Sequence, residues 1–327
     1  MDRTALAAGA RVPAPPYALP ALLSPQRVAA LAVLATFGVG LLAATAPAAV
    51  QWRPAASVAL PGLVDAEPAP DAEPEREIVT RIAGKAAEEL FRLYVERGFV
   101  LDAARQGAEI VPRLIVERLP RDMGALDSSD MRKNVFIKTL LPLLLMENER
   151  LLAERARLED VLAAGADASP ADRDWLAELA ERYDADPRQP RELLRRVDAI
   201  PVSLAIAQAA METGWGTSRV AQAGQALFGQ MVFRAGDDDG RVRKFEQLEH
   251  AVAAYAANLN THRAYADFRR AREQARRDGK PLDGHALAQH LQRYSERGMD
   301  YVRDVRSLMR VNGLRPLDRA RLDTTAS

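Results

Sequence analysis

The 327-residue chain contains no cysteine, so disulfides, thiolate-held iron–sulfur clusters and thiol nucleophiles are all excluded. It also has no excess charge: 45 basic residues balance 45 acidic ones. A chain without a basic field has no electrostatic footprint for nucleic acid, and none is expected as a partner. Histidine is scarce, with His250, His262, His285 and His290 the only four. Their spacing does not gather them on one helical face, since His285 and His290 are five apart, so neither a metal nor a cofactor is expected. What the chain has in quantity is apolar surface. At 48% hydrophobic residues it can fold one or two domains unaided.

The run from Pro201 to Arg219 is the most informative stretch. Small and aliphatic residues fill nearly every position from Leu204 to Met211, Pro201 suits a first turn, and Gly214 and Gly216 suit the stop. This predicts a buried helix that ends on a single carboxylate, Glu212. A carboxylate facing the negative end of a helix beside Trp215 is expected to hold its proton more tightly than usual. Such a group can donate to a leaving sugar oxygen as the general acid of a glycosidase. An ordinary terminal Glu is a solvated surface group, but an isolated charge in an apolar helix against a Gly-Trp-Gly turn is costly without a role.

Ala226-Leu227-Phe228-Gly229-Gln230 follows after one short helix and a turn. The segment from Ser203 to Gln230 resembles the signature of the bacterial glucosaminidase family of peptidoglycan hydrolases, with Thr213 where that signature has Ser and Ala226 where it has Asn. Similarity to the Bax-like members of the family extends to Arg196-Val197-Asp198-Ala199-Ile200-Pro201, to Leu259-Asn260-Thr261-His262 with Tyr265, and to Tyr294-Ser295-Glu296-Arg297-Gly298 with Tyr301. The resemblance implies a mainly α, lysozyme-like catalytic domain with a short β-hairpin lobe, acting as an endo-β-N-acetylglucosaminidase on peptidoglycan glycan strands. It implies Glu212 as the catalytic acid and Tyr301 as an active-site tyrosine. Gln208, one turn back from Glu212, and Trp215 are expected to shape the cleft, Phe228 and Gln230 to line its floor, and Tyr294 with Tyr301 to stack on a sugar ring.

Met231-Val232-Phe233 and Val242-Arg243-Lys244-Phe245 read as a short hairpin. The family often carries a second carboxylate on a longer hairpin than this one. Here Asp237, Asp238 and Asp239 are read as turn formers, and Glu246 and Glu249 as caps or surface charges. Inversion needs a base about 6.5–9.5 Å from the acid and retention a nucleophile about 5–5.5 Å away, unless the substrate's N-acetyl group serves. Two alternatives to hydrolysis stay open: a lytic transglycosylase, which needs one acid/base, and a non-catalytic glycan-binding or regulatory module.

The rest of the chain frames this domain. Arg3, Arg11 and Arg27 precede an apolar stretch from about Val28 to Val50, read within residues 1–52 as an apolar helix that is a signal peptide or a signal anchor. Either implies a periplasmic domain, tethered in the inner membrane if uncleaved. Residues 53–77 are a Pro/Ala/acidic linker. Residues 78–196 are expected to form helices packing on the catalytic domain: Ile78 to Gly98, Asp102 to Leu119, Asn134 to Leu162 with a kink at Pro142 and a charged, solvated second half, and Trp175 to Tyr183. The catalytic domain is assigned to 197–316, with Tyr294 and Tyr301 on its last helices, and 317–327 to a tail.

Overall fold

A computed structural model describes residues 79–232 and 241–324. The apolar stretch, the linker and the turn carrying Asp237, Asp238 and Asp239 lie outside the described residues, and within them no helix is long and apolar enough to cross a membrane.

The fold is mainly helical, and its N-terminal part opens on a short strand, β1 (Thr80–Ile82), before α1 (Ala87–Glu96) and α2 (Leu101–Arg105). The helix expected from Asp102 to Leu119 ends at Arg105, and the residues after it do not continue it. Those residues instead form β2 (Glu109–Val111) and β3 (Leu114–Val116), and β3 pairs in parallel with β1. The cause is local: Pro112 supplies no helical N–H, and the β-branched pairs around it fit an extended backbone. Next comes α3 (Ser129–Ala164), a 36-residue helix that continues through Pro142. Burial of Leu140, Leu141, Leu143 and Leu144 on either side offsets the roughly 3 kcal/mol that an interior proline costs.

The charged half of α3 is only partly the solvated face its composition predicts. Arg150 pairs with Glu147 and Glu154 at helical spacing. Asn148, however, reaches inward and clamps Ile200, accepting from its N–H at 2.9 Å and donating to its carbonyl at 2.8 Å. The segment leading into the helix that carries Glu212 is therefore fixed by α3. After α4 (Pro170–Arg182) and α5 (Pro190–Arg196), that helix follows as α6 (Val202–Thr213). Every residue of α6 from Val202 to Ala210 is buried, which accounts for the absence of a polar face.

The remaining elements follow α6. They are α7 (Arg219–Gly224), the hairpin β4 (Met231–Val232) and β5 (Arg241–Val242), α8 (Leu248–Thr261), α9 (Ala266–Arg277), α10 (Gly284–Leu287) and α11 (Met299–Val311). Among them α10 and α11 pack against α6. The hairpin is antiparallel, with Met231 opposite Val242. Tyr301 lies on α11, but Tyr294 is on the irregular segment before it rather than on a helix.

The described part of the stretch read as a tail, 317–324, packs on the fold. Leu317 and Leu322 are buried, and β6 (Arg321–Leu322) pairs in parallel with β2. Asp318 accepts from the backbone N–H of Ser203 at 2.9 Å, from its hydroxyl at 2.8 Å and from the Gly284 N–H at 2.9 Å. Pro201, at the N-cap of α6, offers no capping side chain, so a carboxylate from the far end of the chain caps the helix instead.

Candidate active site

Glu212 stands in the last turn of α6, and Gly214 closes the helix in the left-handed region at φ 56°. Trp215 is also left-handed, at φ 59°, a conformation that costs a non-glycine residue about 1–3 kcal/mol. Two contacts hold the turn: the Trp215 N–H donates to the Ala210 carbonyl at 3.0 Å, and the Gly216 N–H donates to the Thr213 hydroxyl at 2.9 Å. Thr213 itself is buried and its hydroxyl donates to the Ala209 carbonyl at 2.6 Å, so a hydroxyl at this position serves the turn rather than a ligand.

This turn swings the Trp215 ring onto α3. The ring meets Phe136 edge-on at 5.7 Å, and the Lys133 ammonium lies 5.6 Å from its centroid. Trp215 stays half-buried.

Glu212 is exposed to solvent, yet protein crowds its carboxylate. Partial burial raises its pKa, against the opposing influence of the Tyr301 hydrogen bond and the nearby Arg297 charge. The direction expected from the sequence holds, with desolvation as the main cause. Its two oxygens have different surroundings. Oε1 accepts from the Tyr301 hydroxyl at 3.3 Å. Oε2 faces Gly229, whose backbone has φ 59° and where an added Cβ would lie 3.1 Å from that oxygen.

Behind Tyr301 the polar chain continues inward. Gln208 Nε2 donates to the Tyr301 oxygen at 2.8 Å, and Gln208 Oε1 accepts from the Tyr255 hydroxyl at 2.7 Å. Gln208 is fully buried with both ends of its amide engaged, so it does not reach a sugar. It orients Tyr301 instead. Burial pushes both phenols well above their ordinary pKa, so they stay protonated donors.

Phe228 likewise supports the floor from beneath, being buried and stacked on Tyr255 at 4.0 Å with 13° between the rings. Tyr294 donates to the Phe228 carbonyl at 2.9 Å and stacks on Tyr301 at 5.4 Å. The aromatic wall therefore ties the pre-α11 segment to the Phe228–Gly229 turn. Gln230 is half-buried; its carbonyl accepts from the Arg243 N–H at 2.7 Å, while its side-chain Oε1 is buried without a partner among the described residues. Glu249 makes a paired contact with Arg81 at 3.1 Å and Glu246 is exposed, as expected of surface charges.

Tyr255, Gly229, Phe136 and Lys133 carry no signal in local spacing that marks them as site residues. Gly229 falls inside the recognised motif, but its role depends on the approach of a residue from another element. The other three come from α8 and α3.

Residues 189–314 match the family model for glucosaminidases, described as mannosyl-glycoprotein endo-β-N-acetylglucosaminidase. The chain is also 36% identical over 191 residues to "Protein bax" of Escherichia coli (strain K12), an alignment covering 55% of this chain and 69% of that protein. The chain belongs to the glucosaminidase family. It is accordingly a glycoside hydrolase of the β-N-acetylglucosaminidase type. No solved structure gives a significant match to this glucosaminidase.

Proposed function

We propose that this glucosaminidase cleaves peptidoglycan glycan strands after N-acetylglucosamine, with Glu212 as the general acid on a lysozyme-like helical domain. The observation that carries the reading is the state of that carboxylate: open to solvent, raised in pKa by its surroundings, and held at one oxygen only. Because Oε1 accepts a hydrogen bond from Tyr301, the proton resides on Oε2, the oxygen beside Gly229. From there it passes to the glycosidic oxygen as the bond to the anomeric carbon breaks, that carbon being taken up by water or by the substrate's own N-acetyl oxygen, which water then displaces, and Glu212 is left ionised. Tyr301 then holds the carboxylate in place, and its hydrogen bond strengthens as the charge develops.

Trp215, half-buried and three residues after Glu212 in the chain, suits stacking on a sugar ring. Gln208, Phe228 and Tyr294 act as supports for Tyr301 and the floor. A periplasmic location fits this substrate, and the sequence feature supporting it is the apolar stretch from about Val28 to Val50 behind three arginines.

The test is mass spectrometry of fragments released from purified peptidoglycan by the full chain and by Glu212→Gln. Reducing-end N-acetylglucosamine fragments that disappear in the variant are expected. Anhydro-muramyl ends would replace the reading with a transglycosylase, and glycan binding without release would replace it with a binding module.

A further inference from the structure

A second polar site lies on the helical region that precedes the family-matched residues. Where α1 turns into α2 against α3, a cavity of about 270 Å³ is lined by Tyr94, Phe99, Val100, Leu101, Asn134 and Lys138, among others. Lys138 is only 5% exposed. Its ammonium lies 5.9 Å from the Tyr94 ring centroid and 5.5 Å from that of Phe99, and it makes no ion pair or hydrogen bond among the described residues. Burial lowers its pKa. One helical turn away, Asn134 Oδ1 is buried and lacks a donor.

The other polar groups at the rim are already committed. Asp102 pairs with Arg105 at 2.6 Å, and the same guanidinium donates to the Gly313 carbonyl at 3.0 Å. The Tyr94 hydroxyl is bonded to Thr139 at 2.9 Å, leaving its ring as a wall. Two demands therefore meet at one half-open pocket. An ammonium held against two aromatic rings without a counter-charge suits an anion, and a buried amide oxygen one turn along the helix needs an N–H.

We infer that this cavity binds the C-terminal end of a short peptide, its free carboxylate on Lys138 and the amide N–H of its last residue on Asn134. A terminal residue carries these two groups on adjacent atoms, which suits side chains that neighbour each other on one helix face. Its side chain enters the apolar walls of Phe99, Val100 and Leu101. The volume suits one or two small residues, since a water occupies about 30 Å³ of liquid. This inference does not rest on the glycosidase reading, because none of these residues touches Glu212 or lies within 189–314.

The test is calorimetric titration of the full chain with N-acetyl-D-alanyl-D-alanine, N-acetyl-L-alanyl-L-alanine and the C-terminal amide of each. Saturable binding of at least one free acid is expected. Preference for the D-form assigns the site to cell-wall peptides, and preference for the L-form to ordinary peptide termini. Amidation of the ligand and Lys138→Met should each weaken binding by about tenfold to a hundredfold, the worth of one charge-assisted hydrogen bond. Asn134→Leu should weaken it less, and Glu212→Gln not at all.

Lys138→Met should melt at or above the native temperature, because it removes a buried charge that has no counter-charge. A large drop in melting temperature would mean that the ammonium has a stabilising partner beyond the Tyr94 and Phe99 rings, and would overturn the inference. So would equal binding of acids and amides, undiminished binding by Lys138→Met, or no saturable binding in the millimolar range.

Discussion

The Tyr301 hydroxyl stands 3.3 Å from Oε1 of Glu212, and through it the carboxylate joins a polar chain that runs into the core by way of Gln208 to Tyr255. A buried chain of this kind fixes each member only while every member is satisfied. Disturbing one link should therefore reach the acid.

Tyr301→Phe removes the hydrogen bond that opposes the rise in the Glu212 pKa. The acid should hold its proton to higher pH, moving the alkaline limb of the pH–rate profile upward, while the turnover number falls. The variant also leaves Gln208 Nε2 buried without an acceptor, which should cost about 1–3 kcal/mol of stability. An unchanged alkaline limb would mean that Tyr301 does not act on Glu212.

Glu212→Gln should reduce glycan cleavage by about a hundredfold to ten-thousandfold, the usual contribution of a general acid. It should at the same time stabilise the fold near neutral pH. The raised folded-state pKa means that stability is lost as pH climbs through it, because the folded protein must then ionise a partly desolvated group. The advantage of the variant should shrink to nothing as pH falls below the ordinary glutamate range. Denaturant melts at several pH values measure this.

Gly229→Ala places a methyl against Oε2 and puts a side chain on a backbone of φ 59°. The strain should cost about 1–2 kcal/mol. Displacing the proton-bearing oxygen should lower turnover by about tenfold or more, with glycan affinity less affected. Separate measurement of turnover and binding distinguishes this from general loss of folded protein.

Asp198 is a test of the frame rather than the site. Burial alone would raise its pKa, but the guanidiniums of Arg272, Arg276 and Arg155 outweigh that and hold it below the ordinary value. Its contribution is therefore present above the ordinary aspartate range and lost as pH falls through the lowered pKa. Asp198→Asn should cost about 3–5 kcal/mol, because it leaves the buried Arg272 without its counter-charge. Thermal unfolding near neutral pH should show a large drop in midpoint.

The helix that ends on Glu212, the raised pKa of that carboxylate and the turn after it were legible in the sequence because their signal is local: an apolar run, one carboxylate, then Gly214-Trp215-Gly216. The supports were not. Gln208 looks like a cleft residue at one turn from Glu212, and only the placement of Tyr255 on α8 and Tyr301 on α11 shows that its amide is consumed between them. Phe228 reads as a floor residue from its motif alone, and only its stacked partner on α8 shows which side of the floor it occupies. The strands at Glu109–Val111 and Leu114–Val116 were hidden by apolar residues at intervals that also fit a helix. Pro112 was the local clue against a continuous helix. Most of the helical scaffold emerged with the right character and shifted ends, as expected when caps such as Ser128 and Ser169 set the boundaries.

The carboxylate of Asp318 has a practical consequence for anyone cutting this protein to its recognised core. The family match stops at residue 314, four positions before the group that caps the start of α6. A fragment trimmed there forfeits that cap, exposes the apolar ground beneath Leu317 and Leu322, and strips β2 of its partner. A fragment that keeps α6 capped and β2 paired therefore has to run past the homology border at least to Leu322.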